Sequence, residues 1–295
     1  MIAYKEVKSI LNKHKKRDSW FLDDYSINPY EGCGFNCTYC YVHGSKYGEN
    51  LAEKIVIKKD AAAILDKQLA NRAKKNQFGI IAVGSATDAY MQLEEEIGLT
   101  KELLLVILKH RFPVFISTKS ELIKKDLDLL RQIDANSILP EDLKQNPGRG
   151  VIISFSFSTL DENLAKQIEP GAPSPQNRME TLKLFSDNGF LCGVNAMPLL
   201  PYISDTEEEI EKIVAAAKQY GANYILIAGL TLFGNDERDS KQLVFRFLRN
   251  NYPDLLEKYE KMYGSVYYSS WQYQQELKKR GDTLCEKYKI RNNIR

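Results

Sequence analysis

Three of the chain's five cysteines fall within eight residues, in the stretch GCGFNCTYCYVHG. Cys33, Cys37 and Cys40 are spaced C-x3-C-x2-C, and His43 follows three positions later. Crowded thiols of this kind are metal ligands before they are anything else. A zinc reading closes a tetrahedral site with the three cysteines and His43, making a braced, non-catalytic interaction protein. Zinc modules usually join two ligand pairs across a long intervening stretch, whereas these four residues lie within eleven. An iron–sulfur reading uses three thiolates and leaves one iron of a four-iron cubane without a protein ligand. An open coordination position marks a catalytic metal site, and the spacing favours this second reading.

The loop needs a scaffold. Short apolar runs rich in β-branched residues alternate along the chain with longer amphipathic stretches. Residues 79–84, 114–118, 151–158, 190–197 and 224–230 read as buried strands, and a further strand within YSINPY (25–30) precedes the cysteines. Residues 59–75, 98–111, 119–133, 174–189 and 204–221 read as helices, the last beginning at Ser204 or Asp205 as N-cap and stopping at Gly221. Repeated strand–helix units imply a parallel sheet with right-handed crossovers. The unusual residues cluster just beyond successive strand ends, as at a barrel mouth rather than a single switch-point crevice. The expected fold is therefore α/β, a partial (β/α)6 barrel of TIM type over 20–235, with an N-terminal segment at 1–19 and a helical extension at 236–295. The connection 134–150 should lie at the N-terminal face, away from the chemistry.

Bulk properties narrow the setting. Net charge is +2, so no strong overall field draws the chain to nucleic acid or membrane. The N-terminus shows no secretory pattern, no stretch approaches the length of a membrane span, and the cysteines do not form a disulfide framework. A reducing cytoplasm is the expected setting. The basic run Lys13 to Arg17 reads as a solvated segment rather than a nucleic-acid contact.

The cysteine motif, with the aromatic Tyr39 just before its last cysteine, resembles the signature of radical S-adenosylmethionine (SAM) enzymes. NPYEGCGFNCTYCY, TDAY (87–90), TK (118–119), EPGAPSPQNR (169–178) and MPLLP (197–201) resemble the spore photoproduct lyase-like branch of that superfamily, over about residues 20 to 230. The resemblance implies an enzyme of lyase or oxidoreductase type with a [4Fe-4S] cluster on Cys33, Cys37 and Cys40. It also implies SAM on the open iron, cleaved reductively to a 5'-deoxyadenosyl radical that abstracts hydrogen from a substrate. The substrate is unidentified; nucleic acid follows only by analogy with the branch, and a peptide or small molecule is the alternative. A reductant such as flavodoxin or ferredoxin is the implied partner.

Position by position, the resemblance sets Tyr39 near the adenine and Thr87 or Asp88, with Lys119, at the methionine end of SAM. Ser154 and Ser156 alternate with phenylalanines, so they share one face; if that face is the barrel interior, their hydroxyls reach the ribose. Asn195 is expected beside them, with Ala196 and Gly229 leaving room for the adenine. Arg178 pairs with a glutamate such as Glu169 or contacts ligand. Ser85 stands where spore photoproduct lyase has the cysteine that returns a hydrogen atom. An alcohol O–H bond is much stronger than a thiol S–H bond, so serine does not readily do that job and thymine-dimer repair is not the expected reaction. Tyr41 either relays hydrogen or packs. Cys192, in an apolar strand, reads as a buried structural thiol, and Cys285 falls in the distal helices, so neither is an obvious substitute for that cysteine.

Overall fold

The computed structural model describes residues 2–45 and 54–295 of the chain. Its strands are β1 (Ile2–Lys5), β2 (Asn12–Lys13), β3 (Asp23–Ile27), β4 (Tyr30–Glu31), β5 (Ile55–Lys58), β6 (Ile80–Val83), β7 (Val114–Thr118), β8 (Val151–Phe157), β9 (Leu191–Leu199) and β10 (Tyr224–Gly229). Its helices are α1 (Ala61–Lys74), α2 (Glu94–Ile97), α3 (Leu99–His110), α4 (Leu127–Asn136), α5 (Glu162–Ile168), α6 (Pro175–Asp187), α7 (Glu207–Gln219), α8 (Ser240–Asn251), α9 (Leu256–Tyr263) and α10 (Trp271–Tyr288).

Six strands, β3 and β6 to β10, pair in parallel in the order of the chain, and β2 adds an antiparallel edge beside β3. The order runs from β2 to β10 without β10 returning to β2, which is the partial (β/α)6 barrel that the alternating pattern predicts. Each strand divides its residues by parity. Ile81 and Val83, Val114 and Ile116, Ile153 and Phe155, and Val194 and Ala196 pack outward against the helices. Ile80 and Ala82, Phe115, Ile152, Leu191, Tyr224 and Leu226 point inward.

At the N-terminal ends of the strands the interior is plugged. Leu22, Leu143 and Ile294 come from three distant parts of the chain and join those inward residues. The connection 134–150 is thus a floor. Asp142 draws Arg17 (2.5 Å) and Arg295 (3.0 Å) to it, and Asp134 accepts from the Gly150 and Val151 N–H groups. Arg17 also pairs with Asp24, so the end of the basic run is spent on the fold.

Two differences from expectation concern caps and short elements. Helix α7 is capped by Thr206, whose hydroxyl accepts from the Glu209 N–H, rather than by Ser204 or Asp205. Those two are already engaged: Ser204 accepts from Leu200 N–H, and Asp205 from Tyr202 N–H and the Tyr273 hydroxyl. Helix α5, capped by Asp161, was not expected from periodicity because it is only seven residues long. Beyond residue 236 the regular elements are helical, and α10 packs along the edge strand β10. Among the described residues no helix is long and apolar enough to cross a membrane.

Candidate active site

The cysteine loop leaves β4 and returns through β5, which pair antiparallel, and β1 runs parallel on the far side of β5. This three-stranded clamp was not visible in the sequence, since its strands are two to four residues long. The loop is also stitched to the segment after α5. Thr38 N–H donates to Ile168 carbonyl (2.9 Å) and Gly171 N–H to Phe35 carbonyl (3.1 Å). A side chain at Gly171 would put its Cβ 2.2 Å from the Gly34 carbonyl oxygen, so this glycine permits the close approach. His43 turns elsewhere: its carbonyl accepts from Ser240 N–H, and its imidazole lies beside Asp239. Burial lowers the imidazole's pKa, with Asp239 opposing. Among the described residues no three His, Cys, Asp or Glu side chains are gathered tightly enough to hold a single metal ion.

Burial pushes all three thiols up, Cys33 to about 11. Against burial, backbone N–H groups of Asp88 and Phe35 face Cys33 sulfur, those of Val42 and His43 face Cys40, and Lys119 favours thiolate at Cys37 and Cys40. The donor set suits a metal cluster: protonated when alone, it offers amide donors and an ammonium to the anionic sulfur that ligation creates.

Directly under the loop lies a charge cluster. Tyr39, 4% exposed, donates its hydroxyl to Glu169, and Arg178 pairs with the same carboxylate. Lys119 Nζ stands 4.0 Å from Glu169 and 5.8 Å from the Tyr39 ring centre. Arg178 spends its remaining donors on the carbonyls of Pro173 (2.9 and 2.7 Å) and Ser156 (3.0 Å). Burial works to raise the Glu169 carboxyl, but Lys119 and Arg178 outweigh it and hold it below the usual carboxylate range. Burial works to lower Lys119, and the attraction of Cys37 and Glu169 outweighs it in turn. The Arg178–Glu169 pair appears as expected; that Glu169 gathers Tyr39 and Lys119 too was missed, although it opens the EPGAPSPQNR segment.

Asp88 binds the β6 and β7 loops together. Its oxygens accept from the Thr118 hydroxyl (2.7 Å), the Lys119 N–H (2.7 Å) and the Tyr90 N–H (2.9 Å). With these bonds made it acts as a strut, leaving Thr87 as the residue of that pair with spare capacity: Thr87 Oγ1 is buried without a hydrogen-bond partner among the described residues. Tyr41, 48% exposed, donates to the Ser85 carbonyl (2.8 Å), and Ser85 Oγ accepts from Asn28 Nδ2 (3.1 Å). Tyr41 and Ser85 therefore meet at the mouth.

The serine face of β8 does line the interior. Ser156 Oγ meets Ser117 Oγ (3.1 Å), which accepts from Asn195 Nδ2 (2.9 Å), and Asn195 Oδ1 has no partner among the described residues. Ser117 was missed, though its place at period two in VFIST marks it as inward. Two residues lie elsewhere than expected. Ser154 sits lower, bonded to Tyr224 hydroxyl (2.6 Å) and fully buried, so its hydroxyl belongs to the floor. Ala196 is one residue on from Asn195 and so faces the helices. At Gly229 the place of the missing side chain is filled by Gln274 and Leu277 of α10, each within 3.3 Å of where a Cβ would sit.

A family model for the Radical SAM superfamily matches residues 27–217, from the end of β3 through most of α7. The chain belongs to the radical SAM superfamily. An uncharacterized protein of Mycobacterium tuberculosis (strain H37Rv) is 27% identical over 278 residues, covering 92% of this chain and 76% of its own length. An uncharacterized protein of Methanocaldococcus jannaschii is 27% identical over 237 residues, covering 79% and 78%. A spore photoproduct lyase structure, complexed with dinucleoside spore photoproduct, shares the fold at TM-score 0.66 and 15% identity, covering 97% of this chain and 79% of that one. The radical SAM chain described here is thus spore photoproduct lyase-like in architecture.

Proposed function

We propose that this radical SAM protein is an enzyme holding a [4Fe-4S] cluster on Cys33, Cys37 and Cys40 and binding SAM across the barrel mouth. The supporting observation is a pair of buried polar atoms without partners among the described residues, Thr87 Oγ1 just beyond β6 and Asn195 Oδ1 late in β9, on the strand ends that carry the cysteine loop. Buried polar groups are almost always satisfied, so two vacancies toward the same ends of the strands fit a polar ligand. When bound, cluster and SAM supply reductive carbon–sulfur cleavage and a radical that takes hydrogen from substrate. The chain's own part is to orient and exclude. Lys119 offers an ammonium to a carboxylate, and Tyr39 packs beneath with its ring held by Glu169. Ser117, Ser156 and Asn195 present a hydrogen-bonded row for hydroxyls, and α10 covers the open side of β10. An external one-electron reductant such as flavodoxin or ferredoxin completes the reading.

For the substrate, nucleic acid is the reading we favour over peptide or small molecule. Tyr267, Tyr268 and Trp271 are 51%, 65% and 77% exposed, and their segment is pinned to the chain just after β10 by the Thr231–Tyr268 bridge. Exposed rings beside a mouth suit stacking on unpaired bases.

The deciding experiment is anaerobic reconstitution with iron and sulfide, then dithionite and SAM, with 5'-deoxyadenosine quantified against Cys37→Ala. Production by the wild type alone supports the reading; a colourless protein that takes up zinc and no iron overturns it. Oligonucleotide affinity that is salt-dependent and lost in Trp271→Ala supports the substrate reading.

A further inference from the structure

We infer that Lys119, Glu169 and Arg178 form an electrostatic seat that sets the reduction potential of the metal centre on the cysteine loop, with Glu169 as the positioning residue that aims Lys119. This rests on the iron–sulfur reading above.

The group holds two cations and one anion, a net charge of one positive, with side-chain exposures of 15%, 1% and 1% for Lys119, Glu169 and Arg178. Charge this deep is poorly screened and acts over several ångströms. The two cations are used differently. Arg178 is saturated: carboxylate, two bonds to one carbonyl and one to another, with its guanidinium 5.7 Å from the Phe157 ring centre. It fixes Glu169 and the close-packed 169–178 turn. Lys119 is unspent. Its ammonium has no hydrogen bond among the described residues; it stands 4.0 Å from Glu169 and 5.8 Å from the Tyr39 ring centre, and Cys37 and Asp88 attract it as well. Tyr39 lies between Cys37 and Cys40 in the chain, so the ammonium is directed at the underside of the cysteine loop.

A buried, incompletely paired cation is costly unless something compensates it. Ligated thiolates and a centre that gains one electron supply that compensation. The potential of an iron–sulfur centre follows the net charge and hydrogen bonding around it, so excess positive charge here makes reduction easier. Glu169 is the nearest counterweight, with the Asp88 carboxyl also facing Lys119 and Cys33, and it tethers the ammonium through the Tyr39–Arg178 arrangement.

The sign of the response distinguishes this role from simple bracing. Glu169→Gln keeps the shape and removes an anion, making the local charge one unit more positive. Lys119→Gln makes it one unit more negative. Arg178→Lys retains the charge. Each protein, reconstituted anaerobically, is titrated with dithionite in the absence of SAM, following the electron paramagnetic resonance signal of the reduced cluster. The expected midpoint potentials lie above wild type for Glu169→Gln, below it for Lys119→Gln, and near it for Arg178→Lys. Shifts of the same sign in the first two, or none, overturn the inference. If Glu169→Gln fails to fold by circular dichroism, Lys119→Gln decides alone, and an unchanged potential there overturns it. A wild type that forms no iron–sulfur cluster removes the underlying reading as well, an outcome recognisable before any variant is compared.

Discussion

At the N-terminal ends of the barrel strands, Ser154 and Tyr224 satisfy each other at 2.6 Å, Asp142 gathers two arginines, and Asp134 takes two backbone N–H groups and Arg149. Toward the C-terminal ends, Thr87 and Asn195 each bury a polar atom with no partner among the described residues, and Lys119 holds a charge with no hydrogen bond among them. The same strands run through both regions, and the same parity rule aims their side chains inward. The difference is in what the side chains are left to do. The floor spends its hydrogen-bonding capacity on the fold, while the mouth withholds it. Unused capacity in a buried place costs stability, and a bound polar ligand restores it.

The sharpest break in this comparison comes from the cysteines. Replacing Cys33, Cys37 or Cys40 singly with alanine should abolish iron retention and SAM cleavage, measured by iron assay and 5'-deoxyadenosine yield. The thermal midpoint of the metal-free protein should hardly move. The floor should behave in reverse. Leu143→Ala removes a fully buried side chain from the plug and should cost about 2–5 kcal/mol. Its iron uptake per folded molecule should equal the wild type's. Iron loss in Leu143→Ala at a temperature where it is folded would show that floor and mouth are not independent.

Much of this was legible in the sequence, for unequal reasons. The six parallel strands stand out because each is a run of β-branched and apolar residues long enough to show a period, as in VIISFSF. The cysteines stand out because chemistry dictates their spacing. Strands β1, β4 and β5 did not, since two to four residues carry no period, and their pairing joins the N-terminus to residues beyond the cysteine loop. The seat of Glu169 was hidden for a similar reason. A glutamate 130 positions from Tyr39 announces its partner only when the turn at Gly171 brings them together. Ala196 and Ser154 show the limit of a motif: the residue type suggested a role, and parity or depth along the strand assigned another. Among the described residues, Thr87 and Asn195 could be picked out as site residues, but their unspent atoms appear only once every neighbour is placed.

Those unspent atoms give the next test of the comparison. Thr87→Val keeps the shape and exchanges an unpartnered hydroxyl for a methyl group. Stability should stay level or rise by up to about 1 kcal/mol, because a buried polar group without a partner is removed. Affinity for SAM should fall roughly tenfold, the loss of about one hydrogen bond to a charged ligand. Calorimetric titration and thermal melts of the same protein measure both. A valine variant that is less stable and binds SAM as tightly as wild type would assign Thr87 to the floor's way of working.

The floor has one place where its own accounting is incomplete, and pH exposes it. Asp23 is 4% exposed at the start of β3, with His14 Nδ1 3.1 Å from its carboxylate and Ser26 holding the other imidazole nitrogen at 3.2 Å. Burial raises the Asp23 carboxyl to about 6, with His14 pulling the other way. An acid whose folded pKa lies above its unfolded value binds its proton more tightly when folded. The resulting stabilisation is complete below about pH 4 and is lost as pH rises through about 6. Asp23→Asn cannot ionise, so its stability should not follow that loss. Denaturant melts from pH 4 to 7 should show the wild type declining relative to Asp23→Asn by on the order of 1 kcal/mol. A gap that instead widened toward acid would mean that His14 overcomes burial, leaving Asp23 as fully paired as its neighbours Asp24 and Asp142.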